Sequence, residues 1–359
     1  MNETNMNRLP VPTWNQCGVN TAPKAAALPE LSGDWGDANF AVTLPAGVGE
    51  SEEEFTSFTE SGMGAEADAF LLENAAVRHA LTVAENVTVA EPAVFEFTLD
   101  AAHPGTMSVL DVDAKANSSL TLVQVLRGDA ENGAAANLVR IRAAEGAHVR
   151  LVQIQMLGFR ARRWDAVAVE EGTGAKVEQV RVELGGSVSA CGTRAVLDHA
   201  KAEYDLDAVY FGSRNAVLDY NDVSVHTAKD TLCEMHTAGV LTGSASKILR
   251  GTIDFRRGAK RGVGHESEDV LLFSPTARNR TAPLILCGEE EVEGQHAASI
   301  GRLDEEKLYY LRSRGLSEAQ ARRLMVDARF APALDKIPLE ALREEVRAEA
   351  VRRLDEDAE

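Results

Sequence analysis

From "AEADAFLLENAAVRHAL" onward, one short helical stretch gives way to apolar and polar residues that alternate with a period of two, the spacing of β-strands with two distinct faces. The alternating segments recur. "SLTLVQVL" from Ser119, "HVRLVQIQML" from His148, "KVEQVRVELG" from Lys176 and "EYDLDAVYFG" from Glu203 return at intervals of about 28 residues. A second register lies between them: "NLVRIRAA" from Asn137, "WDAVAVEE" from Trp164, "TRAVLDHA" from Thr193 and "NAVLDYND" from Asn215. Evenly spaced short strands, separated by Gly, Ala, Asn and Asp instead of helices, predict a solenoid of stacked coils. An antiparallel sandwich also has many short strands. The joint repetition of two registers and the scarcity of hairpin signals favour a parallel β-helix. "ENG" at Glu131 is the main exception and reads as an excursion between coils.

After Gly301 the period becomes helical. Asp304 to Ser313 carries Leu308 and Leu311 on one face and stops at Gly315; Ser317 to Gln320 has the form of a capping box that opens a second helix through Leu324 and Met325. Pro338 suits the first turn of a third helix through "LEALREEVRAEAVRRL", with acids early and arginines late, as the helix dipole favours. These helices either cap the solenoid or form a docking module. Residues 1–65, rich in Pro, Gly and acidic side chains, read as an irregular N-terminal arm. The expected division is an arm over 1–65, a mainly β, parallel β-helix core over 66–302 and an α-helical domain over 303–359.

Composition narrows the function. With 359 residues, 45% of them hydrophobic, the chain can bury a substantial core, and only 5% aromatic residues suit tight coils of Ala, Val and Leu. A net charge of −19 repels nucleic-acid backbones and anionic lipid. The first twenty residues lack a basic start followed by an apolar run, and no later stretch is long enough to cross a bilayer, so a cytoplasmic location is expected. Four cysteines, Cys17, Cys191, Cys233 and Cys287, form no C-x-x-C pair, which removes both a disulfide framework and a closed zinc site. "GSASKILRG" is not a phosphate-binding loop.

The metal-capable residues are scattered. His226, Cys233 and His236 lie within eleven residues, but the spacing is wrong for a finger-type site, and alternation sets His226 and His236 on one face with Cys233 on the other. His265, Glu266 and Glu268 in "GVGHESEDVLLFS" could offer an imidazole and a carboxylate, although a solvated strand edge explains them more simply. Cys287 reads as a buried structural cysteine, and His296 stands alone where strands give way to helices. A carbohydrate-active β-helix enzyme is one alternative, but such enzymes gather their acids in a groove, whereas here the acids are spread. A self-associating structural solenoid is another.

"LLFSPTARNRTAPLILCGEEEVEGQHAASIGRLDEEKLYYLRSRGLSEAQARRLM" resembles the carboxy-terminal signature of the SufB/SufD family of iron–sulfur cluster assembly proteins, and "LPVPTW" is similar to the start of some SufD-type members. The resemblance implies a right-handed parallel β-helix followed by helices. It also implies a non-enzymatic scaffold that pairs with a SufB-like subunit, or with itself, and binds a SufC-like ATPase, with a transient iron–sulfur cluster at the subunit interface; flavin accompanies some family complexes. His296 matches the histidine of the SufD-type "C-S-H-G-A-T" motif and is the candidate cluster ligand. Gly294 stands where the family often has cysteine, which leaves Cys287, His265 and Glu266 as lesser candidates. The coil holding His265 and Glu266 lacks the cysteine of SufB-type members, which points to the SufD type. Tyr309, Leu311, Arg312 and Arg314, with Leu308, Leu316, Leu324 and Met325 around them, resemble the ATPase-docking face.

Overall fold

The two strand registers become two sheets. A computed structural model describes residues 5–13, 15–28, 39–51, 55–302 and 305–356, so Trp14 of "LPVPTW", part of "GESEEEFTSF" and the expected helix start at Asp304 lie outside the described residues. Strands β1 (Asn39–Thr43) and β2 (Val48–Glu50) precede helix α1 (Ala65–Asn74). The stack opens with β3 (Val77–Val83), β4 (Ala93–Leu99), β5 (Gly105–Ala114), β6 (Ser119–Gly128), β7 (Ala134–Ala143) and β8 (His148–Leu157). It continues through β9 (Arg162–Glu171), β10 (Lys176–Glu183), β11 (Val188–Leu197), β12 (Glu203–Gly212) and β13 (Val217–His226). The last strands are β14 (Leu232–Leu241), β15 (Ser246–Phe255), β16 (Gly262–Leu272), β17 (Arg278–Cys287) and β18 (Val292–Arg302). Helices α2 (Glu305–Ser313), α3 (Glu318–Leu334) and α4 (Glu340–Glu356) follow.

Sheet I runs β1-β4-β6-β8-β10-β12-β14-β16-β18, and sheet II runs β17-β15-β13-β11-β9-β7-β5-β3-β2. From β3 and β4 onward the pairings are parallel and in step, as in Lys176↔Glu203 and Val188↔Val217, so this is a parallel β-solenoid and not an antiparallel sandwich. β1 and β2 add antiparallel strands at the first edge, an ordered element within the arm that its composition did not reveal. "ENG" makes no excursion: Asn132, at φ +60°, turns the chain between β6 and β7.

A column of left-handed residues sets the coil length. Asn86, Asn117, Gly146, Gly174, Lys201, Asp230 and Arg261 all have positive φ. Each donates its N–H to a carbonyl of the following coil, as Asn117 does to Glu145 and Lys201 to Lys229. Asn, Asp and Gly tolerate this conformation; Lys201 and Arg261 adopt it at a cost of about 1–2 kcal/mol each.

Strands such as "SLTLVQVL" are apolar on both faces because both are covered. Leu120 and Leu122 point between the sheets, whereas Val123 and Val125 lie on the outer face of sheet I under α3 and α4. Val326, Phe330, Leu334 and Val346 supply the helical side of that layer, and each such buried side chain contributes roughly 1.5–3 kcal/mol. These two helices therefore lie along a sheet face and do not cap the stack's end. The capping box Ser317/Gln320 is formed, Gly315 has φ +95°, and α4 begins at Glu340, so Pro338 precedes the helix instead of opening it. The outer face of sheet II is covered by the N-terminal residues: Met6, Met63 and α1 pack with Leu138 and Trp164, whose indole N–H donates to the Ala26 carbonyl at 2.9 Å. Among the described residues no helix is long and apolar enough to cross a membrane.

Candidate functional site

The last coil places the predicted residues. In β16 and β18 the register pairs Gly264 with Gly294, Glu266 with His296 and Glu268 with Ala298. Gly294 faces the interior, since a Cβ there would meet Ile285 and Phe255 at 3.1 Å. Alternation therefore turns His296 and Glu266 to the same inner side, on adjacent strands about 4.8 Å apart. His296 is exposed on the terminal strand; Glu266, one coil in, is 6% exposed. The solvated strand edge expected for Glu266 and Glu268 is thus corrected: both side chains lie inside the solenoid.

Glu266 has room because Gly251 faces it; a Cβ on Gly251 would overlap the carboxylate. The Oε2 atom of Glu266 is buried without a hydrogen-bond partner. Burial, and then the charges of Glu268 and Asp222, push its pKa up to about 8, with Lys247 opposing. Glu268, by contrast, is paired: the Lys247 ammonium and the Thr281 hydroxyl donate to it, and the Tyr210 hydroxyl donates at 3.4 Å. Burial lowers the pKa of Lys247, and the Glu268 charge counters it.

The other candidates do not join this pair. His265 has the opposite parity and faces outward, its Nδ1 2.8 Å from Glu234 and its Nε2 3.6 Å from Glu293. Cys287 shares the inner parity of Phe255 and stands in the facing sheet; on the last strand of that sheet it is exposed, which corrects the burial expected of it. Pro283 follows Gly251 in register, so it lies at the level of His296, and Cys287 is four residues farther, about 13 Å along the strand. Gly294 is tightly faced by Phe255 and Ile285. The expected faces in the 226–236 segment are also corrected. His226 and Cys233 both point inward, and His236 points outward to Ser267 Oγ at 2.8 Å, because the turn after His226 breaks the alternation. Among the described residues no three His, Cys, Asp or Glu side chains gather for a metal.

Sequence reasoning missed the polar interior behind Glu266. From Lys247–Glu268 it passes to Arg181–Asp222, joined by two hydrogen bonds of 2.8 Å, and to Arg163, which lies 3.2 Å from Asp165 and also pairs with Glu183. Gln179, Gln153 and Gln124 continue it as an amide ladder, 2.9 and 3.1 Å between successive side chains. Charged residues at strand spacing ordinarily mark a solvated face, so only the unusual density of inward parity positions could have signalled this column.

The terminal coil has a second property. Among the described residues β17 and β18 have no further strand beyond them, so their outer edges keep unpaired backbone groups, and Ile300 beside them is 52% exposed. On α2 and the start of α3, Tyr309 is 76%, Tyr310 56% and Leu324 48% exposed; Arg312 and Arg314 are exposed and Leu311 is half-buried. The arrangement sets one exposed imidazole on the open edge and one buried carboxyl group a coil behind it.

Comparison with known proteins places the chain in a family. Residues 97–329 match the profile of the SUF system FeS cluster assembly SufBD core domain. The chain is 31% identical over 142 residues to the iron–sulfur cluster assembly protein SufD of Bacillus subtilis, covering 40% of this chain and 32% of that one. It is 27% identical over 271 residues to a SufBD family protein of Pyrococcus horikoshii, covering 72% and 58%. With a SufBD family protein of Staphylococcus epidermidis it shares 23% over 296 residues, covering 81% and 64%. The matches span less than two thirds of each of these relatives.

Proposed function

The chain belongs to the SufBD family of the SUF iron–sulfur cluster assembly system, and from that premise we propose that it is a SufD-type scaffold subunit. In this reading it pairs with a SufB-like subunit through the open edge of β17 and β18 and binds a SufC-like ATPase through α2 and the start of α3. A transient cluster is its cargo, held at the interface by His296 together with groups from the partner. The observation that carries the reading is the place of His296: an exposed imidazole on the inner side of a terminal strand whose edge is free to continue into another sheet. An imidazole is a weaker iron ligand than a thiolate, which suits a site that must let its cargo go.

The proposed ATPase face is chemically separate from the cluster site. Tyr309, Tyr310 and Leu324 supply apolar area, and Arg312 and Arg314 supply charge, the mixture typical of a docking surface. Mixing the purified chain with a SufB-like subunit and a SufC-like ATPase, followed by size exclusion with light scattering, tests the assignment. We expect a complex of all three. Tyr309→Ala with Arg312→Glu removes the ATPase alone, and Ile300→Glu removes the SufB-like subunit alone. A chain that binds neither partner overturns the reading; a homodimer that excludes the SufB-like subunit overturns the heterodimer.

A further inference from the structure

We infer that Glu266 is a second iron-facing donor, supplied by the penultimate coil of sheet I directly behind His296, so that this chain offers the cargo a paired imidazole and carboxylate and not a single histidine. The inference rests on the cluster-site reading of His296 and adds to it a residue and a ligand chemistry.

Three observations converge on Glu266. It is in register with His296 on the neighbouring parallel strand and shares its inward parity. The residue facing it is Gly251, the position at which any side chain would displace the carboxylate. Its Oε2 is buried and unpartnered, although Glu268, two residues on and equally buried, is bound by Lys247, Thr281 and Tyr210. A carboxyl group that the fold buries and leaves without a partner costs stability, of order 1–3 kcal/mol for the missing partner. A cation at the mouth of the coil would restore it. Lys247 is committed to Glu268 and does not fill that role.

The chemistry fits iron. Imidazole and carboxylate together suit Fe(II) and other divalent ions of intermediate hardness, with the remaining positions open to sulfide, water or a neighbouring chain. The carboxylate also explains how a coil with no cysteine can hold iron while it waits for sulfide: the first donors are nitrogen and oxygen, and thiolate is not required of this subunit.

The test is anaerobic titration of the full-length chain with Co(II), a spectroscopic stand-in, and with Fe(II) by competition against a chromophoric chelator. Other imidazole–carboxylate pairs on the surface, such as His148–Glu178, make a background, and the double variant H296A/E266Q measures it. Glu266→Gln retains the shape of the neutral acid, so folding should survive, and thermal melting checks this. Gly251→Ala is the second probe, since it displaces the carboxylate without changing either donor. We expect Glu266→Gln, His296→Ala and Gly251→Ala each to weaken the specific site at least tenfold, and the double variant to fall little below either single one. If His296→Ala weakens binding and Glu266→Gln does not, this inference fails and the cluster-site reading stands. If neither substitution changes binding, that reading fails with it. Loss in Glu266→Gln alone overturns the pairing of the two donors.

Discussion

Arg181 and Asp222 meet between the two sheets through two parallel hydrogen bonds, Nη1 to Oδ1 and Nη2 to Oδ2, both 2.8 Å, with the side chains 1% and 3% exposed. The guanidinium also stands 5.0 Å from the Tyr220 ring, and burial of the ion pair is offset by the Asp222 charge, which raises the Arg181 pKa. Arg181→Met leaves Asp222 as an uncompensated buried charge and should lower stability by about 3–5 kcal/mol. The double variant Arg181→Met/Asp222→Leu should recover most of that. Urea unfolding of the three proteins decides; equal stability of the single and double variants would show that the pair is not coupled.

The helical tail divides into a packed part and a free part. Phe330 is 1% exposed within the layer against sheet I, and Phe330→Ala should cost about 3–5 kcal/mol. Tyr309→Ala and Leu324→Ala remove exposed side chains and should stay within about 0.5 kcal/mol of the parent. Chemical unfolding reads both. A large loss in Tyr309→Ala would mean that α2 is held by the body of the protein and is not free to dock.

The coil architecture was legible because two registers repeated together and their turns carried Asn, Asp and Gly; the stack needs little else. The burial of Glu266, Glu268, Lys247 and Arg181 was not legible. On a single sequence "HESEDV" alternates as a solvated edge would, and only the opposite sheet, with Gly251 and Asp222 in place, reveals which parity is inside. The cover on each outer face was equally hidden, since strands such as "SLTLVQVL" show that both faces are apolar without saying what lies on the outer one. His296 was singled out by its motif, and that Glu266 stands beside it on the next strand became visible only through the register.

Lys201 occupies a rung of the turn column where Gly174 and Gly146 serve one and two coils earlier. At φ +64° its Cβ is strained by about 1–2 kcal/mol, and glycine would remove that at an entropic cost of roughly 0.5–1 kcal/mol. Lys201→Gly should therefore raise stability by about 0.5–1 kcal/mol. A lower urea midpoint for the variant would show that the lysine side chain itself contributes at the turn.

His226 gives the fold a pH dependence independent of the proposed cluster site. It is fully buried between Ser224 and Thr231, with Nε2 2.9 Å from the Ser224 hydroxyl and Nδ1 2.8 Å from Thr231 Oγ1. Thr231 already donates its hydroxyl to the Ala228 carbonyl, so Nδ1 carries the proton and Nε2 accepts from Ser224. Burial depresses the imidazole pKa from 6.5 to about 4. Between those values the unfolded chain takes up a proton that the folded chain refuses. The contribution is therefore whole above pH 6.5 and is lost as pH falls toward 4, by about 3 kcal/mol in all. His226→Gln keeps a hydrogen-bonding side chain and cannot titrate. Subtracting its stability from that of the parent at each pH cancels the groups common to both, and the difference should fall steadily from pH 6.5 to 4 and level off below. A difference that is flat across this window would mean that His226 remains accessible to protons in the folded chain.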